Sequence, residues 1–456
     1  MSGYEPKRAS LLAAFVSLVS IGAVHAQSLP AGDDFGCGLL GEVDIDGDRI
    51  PDVLALENRW GEPERVWLFS GRTGEVLRTD IGDSPRDSVS RSCARELTWV
   101  GDVDGDGEAD YAYGLGEWHS GGRVVFRSGR TGARLWSWPE RWQDGSPSMS
   151  VAHLGDVDGD GATDFVFGLR DHVSDLQHLG RCVGISGRSR ATLFTIEGRV
   201  AEARFGRVRA LDDLDADGKR EFVVCGDRSG GDQNAVGVFR GSNGTLLGWI
   251  ASAGLKPNGV QTGFDWDADG ASDFCVGCNG CRRNSGHGEE LHVFSGRSRA
   301  ELAIFDERHP GQDLMSLTHF GATSTCLRAP GSRPAIALVV GAYEEPVFGA
   351  SYVFTPEPEF GIFDGLTRAL RCLDIPEEIL ALESALHIGG ALANAGDLDG
   401  DHVDDLLVAC TRYCAPQRGI VWALSGKTGS TLFRWHLCAG VEKPITQVGA
   451  STPSSK

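Results

Sequence analysis

Six short stretches of this 456-residue chain gather carboxylates at one spacing, D-x-D-x-D-G-x-x-D, with small departures. They are Asp44, Asp46, Asp48 and Asp52; Asp102, Asp104, Asp106 and Asp110; and Asp156, Asp158, Asp160 and Asp164. The pattern continues with Asp213, Asp215, Asp217 and Glu221; Asp265, Asp267, Asp269 and Asp273; and Asp397, Asp399, Asp401 and Asp405. Side chains at positions 1, 3 and 5 of a tight loop can aim at one centre. A backbone carbonyl at position 7 and the carboxylate at position 9 can complete the shell. Calcium is a hard cation that takes about six to eight oxygens at about 2.3–2.6 Å, which is what such a loop offers. Gly at position 6 permits the sharp turn. Without a cation, four carboxylates this close repel one another. The chemistry expected is therefore calcium binding, up to six ions. Setting the motif acids aside turns the net charge of −21 into about +3, so the acidity is concentrated in these loops. The charge also argues against a nucleic-acid partner.

The elements that carry the loops follow from their flanks. An EF-hand would need a bidentate Glu at position 12 and a helix on each side. Position 12 is Ala55, Tyr113, Phe167, Val224, Val276 and Val408, none of them a carboxylate. The runs after position 9, such as FVFG and FVVC, are short and β-prone, so the loops sit between strands. A second run then ends in a Gly-rich turn, as in VWLFSGRTG (66–74), VVFRSGRTG (124–132) and VWALSGKTG (421–429). A third apolar run follows each turn, and a fourth precedes each acidic loop. The unit is four short strands in about 55 residues.

The first five motifs start 58, 54, 57 and 52 residues apart, and the last gap of 132 is about two periods. A unit without acids fits near residue 321, within HFGATSTCLRAPGSRPAIALVVGAY (319–343). The expected fold is all-β: a seven-bladed β-propeller over residues 27–438, with calcium-binding loops between strands. A linear solenoid is the competing architecture. It would need capping repeats, and neither end offers one.

The repeat is similar to the FG-GAP repeats of integrin-α propellers and to bacterial VCBS repeats. The similarity spans roughly residues 35–438, and Phe205-Gly206 and the run 339–342 echo the family's name motif. It implies that each acidic loop joins the first two strands of a blade and binds calcium through the matching acids. Arg49 and His402 stand where the pattern has Gly, which puts strain on the first and last loops. Glu221 replaces the final Asp. No Arg-Gly-Asp occurs, and there are no integrin stalk domains.

Residues 1–26 read as an export signal: Lys7 and Arg8, then an apolar stretch from Leu11 to Val24, then Val24-His25-Ala26 before the cut. The expected location is secreted, cell-surface or periplasmic, with no membrane span in the mature chain. All 12 Cys follow Ala26, and an even count in an exported chain implies disulfides. Cys275-x-x-Cys278-x-x-Cys281 reads as local disulfides, or one local and one distant, rather than a metal site, Cys410 and Cys414 invite the same reading, and Cys37–Cys438 would join the first unit to the last. Gly426-Lys427-Thr428 resembles part of a P-loop, but the required first Gly is Val421, so a hairpin turn is expected. Residues 364–388 read as an insertion with a short helix, and residues 439–456 as a polar tail without structure. No G-x-S-x-G or H-E-x-x-H occurs, and no catalytic residues are expected. The leading function is a monomeric binding or adhesion module for an extracellular protein or glycan. The alternatives are a carbohydrate-active or phospholipase-like enzyme, and a purely structural surface protein.

Overall fold

The computed structural model describes residues 34–58, 62–82, 92–117, 121–143, 149–170, 172–174, 177–199, 204–226, 236–250, 255, 257–281, 288–306, 323–329, 335–342, 350–354, 388–410, 417–438 and 445–448. The export-signal stretch, residues 364–387 of the 364–388 insertion, and the Cys414 position lie outside them.

Every described element is a strand. Blade 1 contains β1 (Asp34–Val43), β2 (Asp52–Asn58), β3 (Arg65–Phe69) and β4 (Val76–Ile81). Blade 2 contains β5 (Ser92–Gly101), β6 (Asp110–Glu117), β7 (Gly121–Arg127) and β8 (Arg134–Gln143). Blade 3 begins with β9 (Met149–Gly155) and β10 (Asp164–Leu169). A small hairpin of β11 (Val173–Ser174) and β12 (Gln177–His178) leads to its outer strands, β13 (Arg181–Ile185) and β14 (Thr192–Glu197). Blade 4 is β15 (Arg207–Ala210), β16 (Glu221–Cys225), β17 (Val236–Arg240) and β18 (Leu246–Trp249). Blade 5 is β19 (Pro257–Phe264), β20 (Asp273–Cys281), β21 (Gly288–Phe294) and β22 (Glu301–Asp306). A three-stranded sheet follows, β23 (Thr323–Ala329), β24 (Ala335–Ala342) and β25 (Ala350–Phe354). Blade 6 has five strands: β26 (Ile388–Gly396), β27 (Asp405–Cys410), β28 (Gln417–Leu424), β29 (Thr431–Cys438) and β30 (Ile445–Val448). All pairings are antiparallel meanders.

The second strand of each blade is buried on both faces, because alternate residues serve two joints. In β2, Val53 and Ala55 pack with Leu407, Val421 and Trp435 of blade 6, while Leu54 and Leu56 pack with Tyr111 and Tyr113 of blade 2. Equivalent cores fill the joints between blades 2 and 3, 3 and 4, and 4 and 5. Packing between first strands runs from β1 through β5, β9, β15, β19, β23 and β26 back to β1, so the sheets form a closed ring. The all-β propeller is thus observed, and the solenoid is excluded.

The blade number is corrected: the structure has six blades, not seven. Six sheets reach four or five strands, and the unit without acids yields only the three described strands of β23–β25. That unit lacks the position-9 carboxylate which, in blades 1, 2, 3, 5 and 6, fastens the first loop to the turn before the fourth strand. The tail also differs from expectation. Ile445–Val448 pairs with β29 as a fifth strand, because the outer edge of β29 offers free backbone groups to an extended segment.

Candidate metal centre

All six acidic loops join the first and second strands of their blades, the place the family resemblance implies. Each loop is wound by its own carboxylates. In blade 2, Asp102 Oδ1 accepts from the amides of Gly105 (2.7 Å) and Asp106 (3.1 Å), and its Oδ2 accepts from Gly107 (2.9 Å). Asp104 accepts from Asp106 N, and Asp106 from Glu108 N. The same bonds recur in blades 1, 3 and 6. Such winding takes position 6 into the left-handed region. Arg49 (φ 76°) and His402 (φ 69°) adopt it although they carry side chains.

Position 9 has a different task. The side chain of Asp110 is fully buried at the start of β6. Its Oδ2 accepts from Val103 N (2.7 Å) and Asp104 N (3.3 Å), and its Oδ1 from Gly129 N (2.9 Å). Gly129 belongs to the Ser-Gly-Arg turn before the fourth strand, so one carboxylate ties the acidic loop to that turn. Asp52, Asp164, Asp273 and Asp405 reach Gly71, Gly187, Gly296 and Gly426 in the same way. A Cβ on Gly129 would lie 1.8 Å from the Ala109 carbonyl, which explains the glycine. Burial pushes every position-9 carboxyl upward, Asp273 to about 6 and Asp405 to about 8. Sequence reading treated these residues as ligands alone and missed the clasp.

The loops bring the predicted ligands together. Carboxylate oxygens approach within 4.8 Å of one another for Asp44, Asp46 and Asp48; for Asp102, Asp104 and Asp110; for Asp156, Asp158 and Asp164; and for Asp265, Asp267 and Asp269. Blade 4 gathers all four of its acids, Asp213, Asp215, Asp217 and Glu221. Glu221 is wholly buried. Its Oε2 accepts from Leu214 N (2.6 Å), whereas Oε1 has no hydrogen-bond partner. Burial, followed by the neighbouring acids, raises its carboxyl to about 7. A buried carboxylate with an unpartnered oxygen, gathered with three more carboxylates, is a site that fits a hard cation.

A base also sits at each loop. Arg72, Arg130, Arg188, Arg297 and Lys427, all from the turn before the fourth strand, lie beside the position-5 acids Asp48, Asp106, Asp160, Asp269 and Asp401. In blade 4, Arg240 reaches Asp215. Gly426-Lys427-Thr428 is indeed a hairpin turn, closed by Ser425 N bonding Ser430 O and Gly429 N bonding Ser425 O.

The disulfide expectation is corrected, since no disulfide is found among the described residues. Cys275 and Cys278 lie three residues apart on a regular stretch of β20. They therefore point to opposite faces about 10 Å apart, beyond the roughly 7 Å that a bridge can span. Cys182, Cys225 and Cys326 are buried thiols, and burial pushes Cys225 up to about 11. The side chains of Cys281 and Cys438 lie outside the described residues.

No family model matches the chain, and no curated protein matches its sequence. The FG-GAP reading therefore remains a resemblance in the repeat. Among solved structures, the chain is similar to Sqt1 of Saccharomyces cerevisiae, with a TM-score of 0.47 and 12% identity over 94% of this chain and 92% of that one. It is also similar to the computationally designed Ika8 protein, with a TM-score of 0.41 and 14% identity over 92% of this chain and 95% of that one. The Dos1 propeller matches with a TM-score of 0.39 and 13% identity over 66% of each chain. Likenesses at this level carry no function, and the propeller rests on the strand order and ring packing above. No helix among the described residues is long and apolar enough to cross a membrane.

Proposed function

We propose that this chain is an exported, calcium-stabilised propeller that presents a rigid ring face to a protein or glycan ligand. The observation that carries the calcium reading is the blade 4 cluster, where buried Glu221, its Oε1 without a hydrogen-bond partner, brings a carboxylate oxygen within 4.8 Å of those of Asp213, Asp215 and Asp217. The donors are all oxygen, which favours calcium or magnesium over zinc or copper. Crowding of at least three acids in one short loop favours the larger ion, which takes more oxygen ligands. Export is supported by the basic and apolar pattern of residues 7–26. The binding role is supported by the closed ring, which holds its loops on a broad scaffold and leaves few free edges.

Extracellular calcium modules often bind at roughly 0.1–1 mM. At tenfold excess each site stabilises the folded state by about 1.4 kcal/mol, so six independent sites give about 8 kcal/mol. That is comparable to the whole stability of a typical domain, about 5–15 kcal/mol. The ions are structural staples in this reading. Purified protein equilibrated in millimolar calcium is expected to hold calcium on elemental analysis and to melt many degrees lower in excess chelator. An unchanged melt would remove the calcium reading. A glycan array run with and without calcium tests the ligand class, and turnover in a hydrolase and lyase screen would favour the enzyme alternative.

A further inference from the structure

Five of the six bases beside the acidic loops lie in turns and the sixth, Arg240, ends β17, yet their placement at the clusters repeats. Arg72 Nε lies 2.6 Å from Asp48 Oδ2, Arg130 Nε 3.2 Å from Asp106 Oδ2, and Arg297 Nε 3.5 Å from Asp269 Oδ2. Arg188 Nε lies 3.8 Å from Asp160 Oδ1, and Lys427 Nζ 3.9 Å from Asp401 Oδ2. Three of them also donate to the main-chain oxygen of the same acid: Arg72 to Asp48, Arg130 to Asp106 and Lys427 to Asp401. Blade 4 has Ser242 where the other turns have the base. There Arg240, two residues earlier in the chain, reaches Asp215 Oδ2 at 2.5 Å. The base has moved in sequence and still lands on the cluster.

A solvated arginine on a surface turn is the plain alternative, because exposed ion pairs contribute little. It does not account for six clusters each receiving one base. Nor does it account for the shift in blade 4. We propose that these bases are built-in counter-ions that hold the loops together without calcium and set how tightly calcium binds. This inference rests on the calcium reading above. In the calcium-free loop the guanidinium or ammonium offsets repulsion among the acids. When the ion enters, the base stands next to a double positive charge and shares an acid with it. Two opposing consequences follow: the base stabilises the empty loop and weakens the filled one. The affinity is thereby held in a weak range, where binding follows changes in external calcium.

The test replaces all six bases in the full-length protein: Arg72→Gln, Arg130→Gln, Arg188→Gln, Arg240→Gln, Arg297→Gln and Lys427→Gln. Calcium binding is measured by chelator competition, and melting is followed with chelator and with saturating calcium. A unit charge about 6 Å from a divalent ion predicts binding about threefold to tenfold tighter per site, with the larger effect at low salt. The variant melts below wild type in chelator, and the gap closes or reverses in calcium. A second variant exchanging Arg and Lys at the six positions keeps the charge and the wild-type affinity. Wild type that binds no calcium overturns the calcium reading and this inference together. Wild type that binds calcium, with a Gln variant that binds it equally or less tightly, overturns this inference alone. An Arg/Lys exchange that tightens binding as much as Gln does also overturns it, since charge would then not be the cause.

Discussion

Single residues carry two kinds of stress. Arg49 occupies the left-handed region that the other loops fill mostly with glycine. An L-residue there costs about 1–2 kcal/mol, part of which glycine returns through the freedom of the unfolded chain. Arg49→Gly is expected to stabilise the protein by about 0.5–1 kcal/mol, read as a higher urea midpoint at unchanged slope. His153 on β9 is stressed by its surroundings. Burial, and then the Arg220 guanidinium 3.2–3.3 Å from its ring nitrogens, lowers it to about 4. The unfolded chain then binds a proton that the folded chain refuses, so the contribution of this group is present above pH 6.5 and is lost as pH falls toward 4. The unfolding free energy of wild type relative to His153→Gln is expected to drop by roughly 3 kcal/mol between pH 7 and pH 4. A difference that does not change with pH would show that the ring is not held neutral.

At the scale of the element, the blade is a meander closed by one carboxylate. Asp110 receives three amides, two from the acidic loop and one from the turn before the fourth strand. Asp110→Ala leaves these donors unmet at a buried place and is expected to cost about 3 kcal/mol, with Asp110→Asn costing less because one acceptor remains. The measurement belongs in excess chelator, where a loss of the same size separates the clasp from any role in holding metal. The four-strand unit and the position of its acidic loop were legible in the sequence, because alternation, Gly-rich turns and a fixed period are local signals. The clasp was not. Asp110 and Gly129 are 19 residues apart, and nothing in either stretch names the other. The cysteines mislead for a related reason: an even count gives an opportunity to pair, while the faces on which Cys275 and Cys278 lie are set by strand geometry.

For the whole molecule, stability depends on closing the ring between its first and last blades. Trp435 of β29 is fully buried against Phe69 of blade 1, and its Nε1 donates to Gly74 O at 2.8 Å. Trp435→Ala is expected to destabilise by about 3–5 kcal/mol, because the cavity lies in the joint that no neighbouring blade can fill. Thermal unfolding checks this, and a loss under about 1 kcal/mol would mean that the ring tolerates an open joint. The three-stranded sheet is held in the ring by a different device. Arg328 at the end of β23 bonds Asp404 of blade 6 through Nε at 3.2 Å and also pairs with Glu42 of blade 1. Asn394 joins the same group by donating to Asp404 at 2.7 Å. The unit that lacks acids thus supplies a fixed cation to the acids of its neighbours.

By itself the sequence determined the repeat, the β class, the closed-ring architecture and the six acidic loops. Each of these is written in short-range order: spacing, alternation and turn residues. Only the tertiary structure decided that six units complete a blade, that position 9 serves the turn, and that one base rests on each cluster. Those outcomes depend on which distant groups meet across a blade or a joint, and a linear pattern does not specify long-range contact.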